Sequence, residues 1–300
     1  MSTYDVYSFG VVSASTLYTF KGSFPDPDGY SEFDDVQYML GGEAANSSIV
    51  LSRLGVRVRL DGNWIGDDDA GRRTKALLDS FDIDSSRLVL KDKYQGVSEA
   101  VFAAEGTRAI FGSYGRLLER EDWNMPQRED IQQARVICLD PFFKEASRRA
   151  AEIGSEYSIP VVTIDCLHGD PILEHSAAVV LSHNYIGWKY PDRELEDLFQ
   201  DYLRATDGLV IFTFGENETW YGRQGAGVTR KATYSVDAVD TSGAGDSFRA
   251  GIVFGFLNGW EDSKAIDFAT AVAAIVCTRT PGVLNAPGYE EVTEFMQIPL

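Results

Sequence analysis

From about residue 130 the chain repeats one pattern, and that pattern restricts its fold more than any other feature. Four short runs, ARVICLD, IPVVTID, AAVVLSHN and GLVIFTFG, are apolar and rich in β-branched residues. They do not alternate with polar residues. Such runs suit strands covered on both faces, which means central parallel strands. Helical patterns fall between most of them. In RELEDLFQDYLRA, for example, Leu195, Leu198, Phe199, Tyr202 and Leu203 form one apolar stripe. Strands alternating with helices predict an α/β protein with a doubly wound, mostly parallel sheet. Upstream, YDVYSFGVV and VRVRLDGNWIG read as strands. GGEAANSSIVLSRLG reads as a glycine turn opening a helix that closes at Gly55, and DAGRRTKALLDSF as a second helix. Two more helices, GAGDSFRAGIVFGFLNG and SKAIDFATAVAAIVCTR, close the chain.

Two early stretches break this rhythm. STLYTFKGSFPDPDGYSEFDDVQYML alternates in places around a Pro/Asp/Gly turn. GVSEAVFAAEGTRAIFGSY reads as two strands joined by a tight Glu105-Gly106 turn. Residues 1–300 are therefore expected to form one α/β domain, with a small β-rich lid from about 14–38 and 95–114.

Composition narrows the function classes. A formal charge of −19 argues against nonspecific binding to nucleic acid or to anionic membranes. No apolar run is long enough to cross a bilayer. The opening MSTYDVYSFGVV lacks a basic leader ahead of an apolar core, so a cytoplasmic location is the default expectation. Cys138, Cys166 and Cys277 are far apart and sit in apolar or strand-like settings, as buried free thiols do. His168, His175 and His183 lack the spacing of a zinc site.

The stretch VDTSGAGDSFRAG, residues 239–251, carries the chemistry. As a dinucleotide fingerprint it fails, because Phe248 stands where the third glycine belongs. As a Walker loop it fails too, since the chain holds no Gly-Lys pair. A plain strand-to-helix corner would explain the glycines but not Asp246. An anion nest explains both. Gly243, Ala244 and Gly245 can present backbone amides at a helix N-terminus, and Asp246 would stand beside the bound anion. A hydroxyl between them could lose its proton to the carboxylate while attacking phosphorus.

DTSGAGD followed by a small-residue helix resembles the C-terminal signature of the ribokinase-like (PfkB) carbohydrate kinases. GGEAANSSIVLSRLG resembles their N-terminal signature, and GDDDAG, TFGEN and FATAVAAIVCTRTPG match further family elements in the same order. The resemblance covers most of the chain. It implies an ATP-dependent kinase using Mg2+, with K+ as a further candidate, acting on a small-molecule acceptor. It implies Asp246 as catalytic base and Gly243, Ala244 and Gly245 as the anion hole. Gly41, Gly42 and Asn46 would contact acceptor hydroxyls. Thr213, Gly215 and Glu216 would line the nucleotide site, with Thr270 near the base and Asn184 organising magnesium and phosphates. Asp240, Ser242 and Asn285 lie where many relatives bind a monovalent cation. The lid would cover the sugar, and a homodimer contact is expected there.

The chain departs from the family at the acceptor end. An aspartate that grips two sugar hydroxyls usually follows the first strand. Ser15 stands there, and Ser13 and Asp140 are the candidates to compensate. Asn184 is followed by Gly187 where the family has glutamate, so magnesium is expected to rest on Asp165, Glu216 or water. Arg108 on the lid is a candidate for an anionic acceptor. Fructose-like and fructosamine-like acceptors both remain open. Two alternatives stand beside this reading. A nucleoside kinase of the same fold would stack its base on Tyr18, Phe20 or Tyr114. A catalytically inactive nucleotide- or sugar-binding regulator would have no need of Asp246.

Overall fold

The computed structural model describes residues 4–104 and 107–297. In chain order the strands are β1 (Val6–Gly10), β2 (Ser13–Phe20), β3 (Phe33–Gly41), β4 (Val58–Gly62), β5 (Ile65–Gly66), β6 (Leu90–Lys91) and β7 (Ser98–Ala104). They continue with β8 (Thr107–Gly112), β9 (Val136–Leu139), β10 (Val161–Ile164), β11 (Ser176–Ser182), β12 (Leu209–Thr213), β13 (Glu218–Gly222) and β14 (Thr229–Ala232). The helices are α1 (Glu43–Arg53), α2 (Asp69–Ser80), α3 (Tyr114–Arg120), α4 (Arg128–Ile131), α5 (Glu145–Glu156), α6 (His183–Lys189), α7 (Leu195–Ala205), α8 (Ala244–Leu257), α9 (Asp262–Cys277) and α10 (Tyr289–Phe295).

Among the described residues the larger sheet has the order β14-β13-β12-β11-β10-β9-β1-β4. It is parallel from β12 to β4, and the four apolar runs are its neighbouring strands β9 to β12. Only β13 and β14 run antiparallel, at one edge. Side chains alternate between two apolar layers, as the pleat requires. Val136, Cys138, Val162, Ile164, Val180 and Ile211 face the layer that holds α1, α8 and α9. Ile137, Leu139, Val161, Val179, Val210 and Phe212 face the layer of α5 and α7. That double covering is why these strands carry almost no polar residues.

The smaller sheet has the order β3-β2-β7-β8, with β2 and β7 parallel and the outer pairs antiparallel. It is built from the two stretches that broke the sequence rhythm. The Glu105-Gly106 turn lies outside the described residues. Strand order in the larger sheet reverses at β1, which lies between β4 and β9 although both follow it in the chain. Such a switch opens a crevice at the carboxyl ends of the strands. Here the smaller sheet, the start of α1 and the start of α8 converge on it.

Candidate active site

Gly243 caps α8 in the left-handed conformation, at φ 74°. A side chain there would also collide with Val283, since a Cβ would lie 2.3 Å from its Cγ2. The turn therefore needs glycine twice over. It sets Asp246 in the first helical turn, 8% exposed. The amides of Gly245 and Asp246 begin the helix and have no helical carbonyl behind them. Ala244 N is already engaged, donating to Thr241 O at 3.3 Å.

Asn46 of α1 donates from Nδ2 to Asp246 Oδ2 at 2.8 Å, across 200 residues of sequence. Ser47 Oγ donates to Asp246 O at 3.0 Å. Burial pushes the Asp246 carboxyl up to about 7. Arg249 and the Asn46 bond oppose the shift, while Asp140 and Asp165 add to it. A carboxylate with this affinity for a proton is a better base at neutral pH than an ordinary aspartate.

Behind this surface lies a fully buried ion pair. Arg249 Nη1 donates to Asp140 Oδ1 at 2.5 Å, and both side chains are wholly enclosed. Asp140 Oδ2 accepts from Val11 N at 2.8 Å and from Ala44 N at 3.0 Å. Arg249 Nη2 also donates to Glu43 O at 2.6 Å and to Ser47 Oγ at 2.9 Å. The pair thus ties the ends of β1 and β9 to the start of α1 and to α8. It also corrects the sequence reading of Asp140. Its oxygens are consumed by two amides and a guanidinium, so it frames the site and does not face an acceptor.

A cavity of about 710 Å3 opens over Asp246. Gly42, Asn46, Asn184, Asp240, Ser242, Gly243 and Arg108 line it, as the sequence motifs anticipated. Glu43, Glu99, Tyr114 and Asp165 line it as well. Gly41 lies at its edge against Glu99, and Ser13 Oγ lies 3.1 Å from Tyr114 Oη. Ser15 departs from its expected place. It is 2% exposed, its Oγ has no hydrogen-bond partner, and it borders a second cavity between the smaller sheet and α2. Arg108 Nη1 donates to Thr241 Oγ1 at 2.7 Å and to Ser242 Oγ at 3.2 Å, so it docks the smaller sheet onto the Gly243 turn. It does not point to the acceptor end.

The nucleotide candidates are more scattered. Thr213 ends β12, and Gly215 faces His183, the neighbour of Asn184, with a Cβ position 3.9 Å from its ring. Glu216 is exposed beside them. None of the three lines the cavity. Thr270, expected near the base, donates Oγ1 to Ile266 O at 2.8 Å within its own helix and does not line the cavity. Tyr18 and Phe20 are not free for base stacking. They pack on Phe33 and Phe102 within the smaller sheet.

Among the described residues no group of three or more His, Cys, Asp and Glu side chains is placed to hold a metal ion. A magnesium ion needs less, because one or two carboxylates suffice when phosphates complete the shell. Asp165 fits that role. Its carboxylate lines the cavity, accepts from Ser182 N at 2.9 Å, and is raised to about 6 chiefly by burial. Of the potassium candidates, Asn285 fits poorly, because its backbone oxygen accepts from the Arg279 guanidinium, which puts positive charge where the cation would need the oxygen. The Asp240 carboxylate accepts from Ser242 N and Gly282 N.

Sequence reasoning missed Arg249, Glu43 and Glu99 as site residues. Glu43 follows the Gly41-Gly42 turn directly, and its position there was a usable signal. Burial, with Asp140 and Asp246 nearby, pushes its carboxyl well above the usual range. For Glu99 the only signal was one charge in an otherwise uncharged strand.

Comparison with known proteins identifies the family. The family described as pfkB family carbohydrate kinase matches residues 6–153 and 188–287. A nucleoside kinase of Methanothermobacter thermautotrophicus is 25% identical over 90% of this chain and 89% of its own. An ATP-dependent ribose-1-phosphate kinase of Halopiger xanaduensis is 28% identical over 91% of each. The Arabidopsis thaliana ribokinase, solved with ribose and ATP, superposes with a TM-score of 0.81 at 16% identity over 99% of each chain.

Proposed function

Since the chain belongs to the pfkB family of carbohydrate kinases, we propose that it transfers the γ-phosphoryl group of ATP to a hydroxyl of a small sugar or sugar derivative, with Asp246 as base. The observation that carries this reading is the buried Asp246 carboxylate, held by Asn46 and set beside unpaired helix amides at a cavity. The acceptor oxygen attacks the γ-phosphorus. The bond from that phosphorus to the bridging oxygen breaks, ADP leaves, and the hydroxyl proton goes to Asp246. The Gly245 and Asp246 amides receive the charge that builds on the phosphoryl oxygens. Asp165 would hold Mg2+ together with the nucleotide phosphates, and the metal would neutralise phosphate charge when bound. No role is derived for K+.

The smaller sheet serves as a lid, with Arg108 as its latch on Thr241 and Ser242. Its exposed Phe33, Val36, Tyr38 and Phe111 support pairing of two lids in a homodimer. An inactive regulator is disfavoured, because binding alone does not require a buried carboxylate beside an anion site. The nucleoside reading loses two of its three stacking residues, Tyr18 and Phe20.

The test is ADP release with Mg-ATP over pentoses, hexoses, ketoses, fructosamines, inositols and nucleosides, run on wild type and Asp246→Asn. Turnover on one acceptor should fall about 10²–10⁴-fold in the variant while ATP binding persists. Turnover indifferent to the substitution would sink the assignment.

A further inference from the structure

Glu99 has no role in the motifs that identify the family, yet it occupies the acceptor end of the cavity. It lies on β7, paired with Ser15 of β2 and Gly112 of β8. Its Oε1 presses on Gly41 so closely that a Cβ there would sit 1.9 Å away. Tyr114 Oη donates to Oε2 at 2.6 Å and lies 3.1 Å from Ser13 Oγ. Burial, with Glu99 adjoining, keeps the Tyr114 phenol protonated, so it remains a donor. Tyr114 therefore orients the carboxylate and leaves acceptor capacity free on Oε1. Ser15, beside it in the sheet, is too deep to share the task.

The charge balance at this end is one-sided. Among the described residues neither the Glu99 nor the Glu43 carboxylate forms an ion pair with an Arg or Lys nitrogen within 4.0 Å. Arg108 is turned away onto Thr241 and Ser242. A carboxylate only accepts hydrogen bonds, so the ligand group that meets it must donate. An anionic ligand group at the same place would face the Glu99 carboxylate with no paired cation beside it, and partial burial strengthens that repulsion.

We propose that Glu99 is the specificity-determining residue of the acceptor end. It holds donor groups of the acceptor, hydroxyl or ammonium, over the Gly41 turn, and it turns away acceptors that carry carboxylate or phosphate there. This inference rests on the kinase reading.

The test uses the full chain, as wild type, Glu99→Gln and Tyr114→Phe. Matched acceptors are D-glucose with D-gluconate, D-ribose with D-ribose 1-phosphate, and D-fructose with 1-amino-1-deoxy-D-fructose. Two readouts are taken: ADP-release kinetics, and the melting shift each acceptor causes beside a non-hydrolysable ATP analogue. The shift caused by the analogue alone reports that each variant is folded. Wild type should favour the neutral or amine member of each pair. Glu99→Gln should raise the acceptor KM roughly 10- to 100-fold, far more than it lowers kcat, and should leave the KM for ATP in place. Its discrimination against the anionic member should shrink, and Tyr114→Phe should show a weaker form of the same pattern. Equal losses for fructose and its amine assign the donors as hydroxyls; a larger loss for the amine assigns an ammonium. Wild type preferring the anionic member, or an acceptor KM indifferent to Glu99→Gln, overturns the proposal. Acceptor melting shifts that depend on Glu99 without any turnover would overturn the kinase reading and leave this one standing.

Discussion

The Gly243 turn and the smaller sheet face each other across one cavity, but they are held by different means. The turn is fixed by backbone conformation, by helix geometry and by a buried ion pair behind it. The smaller sheet is fixed by side chains: Arg108 on two hydroxyls, Tyr114 on Glu99, and aromatic contacts among Tyr18, Phe33 and Phe102. A backbone-built site changes only when the backbone changes. A side-chain-built site can be rewritten one residue at a time without moving the chain. This division fits a family whose relatives share phosphoryl transfer and differ in acceptor.

The sharpest way to break the turn is from behind. Arg249→Met leaves Asp140 buried without its cation and should cost about 3–5 kcal/mol of stability, read by urea denaturation. Adding Asp140→Asn should recover part of the loss, because an amide oxygen can still accept from Val11 and Ala44. No comparable single change is expected in the lid. Gly243→Ala comes next. It forces a side chain into the left-handed region and onto Val283, and should cost about 1–3 kcal/mol while lowering kcat.

The Asp246 carboxyl gives a smaller but cleaner signature. Its pKa is raised to about 7, and as the proposed base it must be ionised to act. Activity at low acceptor concentration should therefore rise about tenfold per pH unit up to about 7, then level. The stability effect has the opposite sign. Between the ordinary carboxylate range and about pH 7 the folded chain keeps a proton that the unfolded chain releases. The stability linked to this group is present at low pH and lost as pH rises. Asp246→Asn should thus melt above wild type at pH 8, by a margin that closes on acidification.

Arg108→Ala is the mildest. Removing an exposed latch should lower activity only a few-fold, in line with the loss of neutral hydrogen bonds near the surface, and leave the melting temperature unchanged. A large stability loss here would show that the lid is as rigidly framed as the turn, and the contrast between them would fall.

Most of the larger sheet was legible from the chain. The runs at β9 to β12 are apolar because both faces are covered, so composition alone betrayed their place. The DTSGAGD turn was legible because a left-handed glycine, a helix start and a carboxylate three residues on are local requirements, written within a few positions. Asp140 was misjudged for the converse reason. An aspartate after a strand looks like a binding residue until its partners are known, and those come from Val11, Ala44 and Arg249, the last of them 109 residues away.

The sequence by itself determined the layered fold and the shape of the Gly243 turn, because both depend on periodicity and on short-range backbone geometry. The tertiary structure alone decided which carboxylates are saturated behind the site and which line the cavity. Asp140 and Glu99 are both acids near apolar segments. One is saturated by buried donors and the other is left open to a cavity, and only the packing of distant strands and helices makes that difference.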